Sequence, residues 1–197
     1  MKISTALLSV SEKSGIVDFA KELQDLGIEI ICSSGTADFL EQNGIHVKKI
    51  LDITGTEEIL DGRVKTLNQK IHGGILADRN NTEHIEQIKE KDITPIDLVV
   101  VNFYSVERKI KNDRPIEEII EKIDIGGPAL VRASAKNYQN VGIVVKPDQY
   151  GEIIEELRRN EGILDIETRE RLAIVAFSHI ADYDESISRY LSKKLSD

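Results

Sequence analysis

Residues 96–104, IDLVVVNFY, are nearly continuous in apolar and β-branched side chains. A strand with one face in water alternates polar and apolar residues, whereas one covered on both faces reads as an unbroken apolar run. This segment therefore predicts a central strand of a parallel sheet clad by helices, and VGIVV (141–145) predicts a second. The N-terminal third supplies the matching units. ISTALLSV (3–10) reads as a strand, and the following segment places Ile16, Phe19, Ala20 and Leu23 at helical spacing before Gly27 ends the run. IEIIC (28–32) is a strand, SSGT a turn, TADFLEQNG a short helix stopped by Gly44, and IHVKKI a further strand. Consecutive strand–helix units imply a parallel sheet. Helices are expected over 82–91, 115–122, 128–138, 148–159 and about 166–193. The expected fold class is α/β, three layers with a mainly parallel sheet, in one domain over residues 1–197. That length suffices to bury a continuous core.

Composition narrows the function classes. The formal net charge is -9, so the broad basic face that neutralises a nucleic-acid backbone is missing and any anion bound should be small. One cysteine, Cys32, cannot form an internal disulfide and suits a reducing compartment. The four histidines are scattered, so no metal site is expected. The N-terminal apolar run is too short for a signal peptide, and no run approaches the ~20 residues that span a bilayer. A cytoplasmic protein is the expectation.

In open parallel sheets, ligands sit at the carboxyl ends of strands, where helix N-termini present free N–H groups to anions. Five polar segments belong there: SVSEKSG (9–15), SSGT (33–36), GRVKT (62–66), NFYS (102–105) and DIGGP (124–128). The first two offer hydroxyls, a glycine and, in the first, Lys13, as a phosphate monoester requires. Ser and Thr before a helix are also ordinary caps. In GRVKT, an extended backbone would put Arg63 and Lys65 on one side, facing a common ligand; a solvated charged loop reads equally well. Locally, 61–75 carries Arg63, Lys65 and Lys70 against Asp61 alone, a net +2 inside an acidic chain. In DIGGPALVRASAKN, Pro128 suits a first helical position and Gly126–Gly127 permits close approach of a ligand. Asp124 and Lys136 are candidate acid/base groups, or a cap and a solvated helix residue. Tyr104 would emerge at the sheet edge, or close the core. His72 reads as structural and Cys32 as a small buried residue.

In order, SVSEKSG, SSGTADFL, ILDGRVKTL, KIHGGIL, VVVNFY, IDIGGPALVRASAKN and AFSHIADYDESIS resemble the IMP cyclohydrolase domain of the bifunctional purine-biosynthesis enzymes that also carry an AICAR transformylase. The resemblance implies a methylglyoxal-synthase-like fold and closure of FAICAR (5-formamidoimidazole-4-carboxamide ribonucleotide) to IMP and water, without metal or other cofactor. It implies Lys65, Tyr104, Asp124 and Lys136 as catalytic residues. Nucleotide binding would fall to Ser11, Glu12, Lys13, Ser33, Ser34, Gly35, Thr36, Arg63, Val64, Thr66, Asn102, Ile125 and Gly126. It further implies a homodimer, and, without a fused transformylase, a separate enzyme that formylates AICAR. Two departures stand out: Asn68–Gln69 where the family has His-Pro, and Ser105 where it has proline. Two other classes use this fold, a methylglyoxal synthase acting on triose phosphate and an effector-binding module of the carbamoyl-phosphate synthetase kind.

Overall fold

The computed structural model describes residues 1–103 and 115–195. Its core is a five-stranded parallel sheet in the order β3-β2-β1-β4-β5. The strands are β1 (Thr5–Val10), β2 (Glu29–Cys32), β3 (Lys48–Lys49), β4 (Leu98–Asn102) and β5 (Gly142–Val144). β4 lies between β1 and β5 and is buried throughout, as its unbroken apolar sequence requires. Leu7 and Leu8 of β1 are fully enclosed on opposite faces of the sheet, and truncating either to alanine should cost about 2–5 kcal/mol.

The helices are α1 (Ile16–Asp25), α2 (Ser34–Gln42), α3 (Ile50–Thr54), α4 (Gln69–Leu76), α5 (Thr82–Glu90), α6 (Ile116–Glu121), α7 (Gly126–Lys136), α8 (Tyr150–Arg159) and α9 (Ile166–Leu195). α1 and α8 pack together, as do α4, α7 and α9, giving the helical layers of a three-layer α/β/α sandwich. α7 is buried along most of its length, because α9 covers it on one side and the sheet on the other. The start of β1 is tied to β4 by Asp97, whose Oδ2 accepts the Ser4 and Thr5 amides at 2.7 and 2.9 Å while Oδ1 pairs with Arg79.

Three local expectations shift. IHVKKI is strand only over Lys48–Lys49, because Asp52 accepts the Lys49 amide at 2.8 Å and starts α3 at Ile50. SSGT is not a turn but the opening of α2: Ser33 is extended, and its carbonyl accepts the Thr36 and Ala37 amides. Pro128 occupies the third position of α7, since Asp124 Oδ1 takes the Gly127 amide at 2.9 Å and helix begins at Gly126. A first-turn proline sacrifices no intrahelical bond there.

Candidate functional site

The chain winds outward from β1 to β3, then crosses back to lay β4 and β5 on the other side. Open parallel sheets hold ligands at such a reversal, and here the carboxyl ends of β1 and β4 open into a cavity of about 660 Å³. All five polar segments contribute to its wall.

One corner is built by strand ends. Ser9 Oγ donates to Ser33 Oγ at 3.0 Å. Thr36 Oγ1 accepts both the Val10 amide and Lys13 Nζ at 3.1 Å, and Lys13 Nζ also reaches the Val10 carbonyl at 2.5 Å. Asn102, ending β4, braces the adjoining turn: its Oδ1 accepts the Ser11 and Glu12 amides, each at 2.8 Å, and its Nδ2 donates to the Glu12 carbonyl at 3.0 Å. Burial lowers the Lys13 pKa, and the Lys65 ammonium adds to the fall. Lys13 and Lys65 thus share a cavity with the N-terminus of α2, a combination suited to an anion. Cys32 behind them is fully buried, which pushes its thiol up to about 12 and leaves it neutral.

The opposite wall is built by loops. Leu60, Asp61 and Gly62 all have positive φ (55°, 53° and 84°), so the chain turns just before Arg63, and Val64 pairs back with Ile59 in an antiparallel bridge. Arg63 and Lys65 still face the same cavity, but Arg63 is exposed and its guanidinium is held by Glu121 at the end of α6, with Nε 3.1 Å from Oε1. Facing them is the start of α7. A Cβ on Gly126 would lie 2.5 Å from Thr66 Oγ1, and one on Gly127 would lie 2.6 Å from Asp124 Oδ2 and 3.0 Å from Phe103. The paired glycines thus allow the backbone of α7 to seat against the GRVKT loop.

Of the residues singled out from sequence, Ser11, Lys13, Ser33, Gly35, Thr36, Arg63, Lys65, Thr66, Asn102, Asp124, Ile125 and Gly126 line this cavity. Four do not. Glu12 is fastened to Asn102 through its backbone, and the Ser34 hydroxyl donates to Glu58. Val64 bridges to Ile59 through its backbone. Lys136 is exposed at the far end of α7, ten residues and about 15 Å from Gly126. Tyr104 and Ser105 lie outside the described residues. Ser9 and Phe103 lie in segments expected at this edge, whereas Glu121 and Lys122 in the wall carried no signal in the sequence. Asn68, where the resembled family has histidine, caps α4 by accepting the Lys70 amide at 2.8 Å. Among the described residues no group of three His, Cys, Asp or Glu side chains gathers as a metal site, and no helix is long and apolar enough to cross a membrane.

A parallel α/β sandwich with a polar cavity at its topological reversal defines a class of small-ligand α/β domains. The model of the MGS-like domain matches residues 15–129 and that of the AICARFT/IMPCHase bienzyme residues 134–197. The chain belongs to the MGS-like domain family and, within it, is of the PurH type. It is 54% identical to the bifunctional purine biosynthesis protein PurH of Persephonella marina over 96% of its length, and 47% identical to that of Bacillus subtilis over 98%. It spans little more than a third of those relatives, 36% and 38%. The crystal structure of ForH superposes with a TM-score of 0.85 at 34% identity, covering 94% of this chain and 97% of that one.

Proposed function

We propose that the chain is an IMP cyclohydrolase that closes FAICAR to IMP and water in purine biosynthesis. The observation that carries this reading is the pairing, in one cavity, of a hydroxyl-and-lysine corner with Lys65 and Asp124 on the facing wall. The corner suits the 5′-phosphate, which Lys13, the Ser33 and Ser9 hydroxyls and the N-terminus of α2 would hold. A cavity of about 660 Å³ has room beyond a triose phosphate for a whole nucleotide. Ile125, 60% exposed at the cavity edge, offers an apolar platform to the heterocycle.

The reaction is intramolecular, so proximity comes with the substrate, but an amide nitrogen is a weak nucleophile. The carboxamide nitrogen attacks the formyl carbon and loses one proton, the formyl oxygen gains the electron pair of the C=O bond and is protonated, and that oxygen leaves as water while the formamido nitrogen gives up its proton to form the ring C=N bond. The Lys65 ammonium stabilises the oxygen as it becomes negative. Asp124 takes a proton from the nitrogen; its Oδ1 is anchored by the Gly127 amide, which fixes the carboxylate at the mouth of α7. Lys136 stands too far from this cavity to serve it within one chain, so Lys65 also delivers the proton to the departing hydroxyl. Tyr104 is proposed as a second donor to that oxygen.

We also propose one domain over 1–197, a cytoplasmic homodimer, and a formyl-transferring activity as the source of FAICAR. Exposed Ile174 and Phe177, one turn apart on α9, support a protein contact on that face. The test of function is absorbance-monitored conversion of FAICAR by the purified chain. Stoichiometric appearance of IMP is expected; a folded chain that leaves FAICAR unchanged excludes the reading.

A further inference from the structure

The AICARFT/IMPCHase match begins at residue 134, beyond the glycines at the mouth of α7, yet one side chain from within it reaches the cavity wall. Tyr183 of α9 is 4% exposed, and its hydroxyl accepts the backbone N–H of Asp124 at 2.8 Å. Asp124 is thereby held at two points. Tyr183 grips its backbone from behind, and the Gly127 amide holds its carboxylate from the front at 2.9 Å. The Tyr183 ring also meets Phe103, a cavity-lining residue, edge-on with centroids 4.6 Å apart, and His179 lies against the same Phe103 at 5.0 Å. α9 is itself fastened to α7 by the Arg132–Asp184 ion pair. The amide of Asp124 precedes the helix and finds no acceptor within it; a buried N–H left in that state is costly. The acceptor comes instead from a residue 59 positions away, on a helix that elsewhere only covers the core.

We infer that Tyr183 is a positioning residue for the ring-closing step: its hydroxyl sets where Asp124 stands relative to Lys65, and Phe103 transmits the position of α9 to the cavity wall. This rests on the cyclohydrolase reading. Displacement of a reacting group by an ångström can lower turnover about a hundredfold while leaving binding intact, so the effect belongs in kcat. Binding of the phosphate, at the Lys13 corner, does not involve Tyr183.

The test compares the wild-type chain with Tyr183→Phe and, as a control on the same helix, Tyr190→Phe, which removes another buried phenol remote from the cavity. Tyr183→Phe should lower kcat for FAICAR about ten- to a hundredfold with KM unchanged within about twofold, and Tyr190→Phe should change neither. Hydrogen exchange reads positioning without turnover: amides of residues 123–127 should exchange roughly tenfold faster in Tyr183→Phe, with the β1 and β4 amides unaltered. An unchanged kcat in an active enzyme, or a loss shared equally by Tyr190→Phe, overturns the assignment. If the wild type leaves FAICAR untouched, the cyclohydrolase reading fails by itself. Exchange then decides: faster exchange confined to 123–127 upholds the positioning role, and unaltered exchange there overturns it.

Discussion

The two walls of the cavity are made differently. The Lys13 corner grows from the ends of β1, β2 and β4, and its polar atoms bond first to one another: Ser9 to Ser33, Lys13 to Thr36, Asn102 to the Ser11–Glu12 amides. Ser33, Thr36 and Asn102 are buried, so they serve the fold and the ligand together. The facing wall is a turn with three successive positive-φ residues, an exposed Arg63–Glu121 pair and the opening of α7. There, Arg63 and Lys65 contribute little to the fold. In the proposed reading the phosphate is preorganised by strand ends, whereas Lys65 sits on a loop free to differ without cost to the core.

The sharpest way to break this contrast is Lys65→Ala. The variant should lose about 10²–10³ in kcat with an unchanged melting temperature, because the lost interaction forms in the transition state and not in folding; a large fall in melting temperature would contradict the division. Next is Lys13→Ala, which should weaken IMP binding, measured by calorimetry, about 10- to 100-fold through loss of a charge-assisted bond. Thr36→Val tests the dual use of the corner. It leaves the Val10 amide without its acceptor and Lys13 with the Val10 carbonyl alone, and should cost about 1–3 kcal/mol in denaturant unfolding while also weakening IMP binding. Arg63→Ala, on the other wall, should leave the denaturant midpoint almost unchanged, because an exposed ion pair contributes little.

The smallest effect is on pH. Burial lowers the pKa of His72 and, with Lys146 adding to the fall and Asp182 opposing it, of His179. Both Nε2 atoms are buried without a hydrogen-bond partner among the described residues. The folded chain therefore binds these protons less readily than the unfolded chain. Stability is complete above the unfolded value of about 6.5 and is lost as pH falls from there through the folded pKa. A melting temperature that declines from pH 7 to 5, less steeply in a His72→Gln/His179→Gln variant, is expected.

What could be read from sequence divides along the same line. The buried β4 run, the two N-terminal strand–helix units and the long C-terminal helix were legible, because apolar periodicity follows directly from which faces are covered. The Lys13 corner was legible for the same reason: strand ends put their next residues at one sheet edge. The facing wall was not. The bend at Leu60–Gly62 needs left-handed backbone at two non-glycine residues, which no local pattern announces, and it turned Arg63 toward Glu121. The distance of Lys136 from the cavity follows from α7 running unbroken over 126–136; spacing along the chain leaves that open until the start of the helix is known. Tyr183 stands in a quoted motif, AFSHIADYDESIS, but its bond to Asp124 spans 59 residues and has no sequence signal.

The most direct measurement is the position of the phosphorus atom in a crystal of the chain grown with IMP. The phosphate should lie within hydrogen-bond reach of Lys13 Nζ and Ser33 Oγ, with the purine ring directed at Lys65 and Asp124. A phosphate bound instead between Arg63 and Lys122, with the base in the serine-lined corner, would contradict the assignment of the two walls.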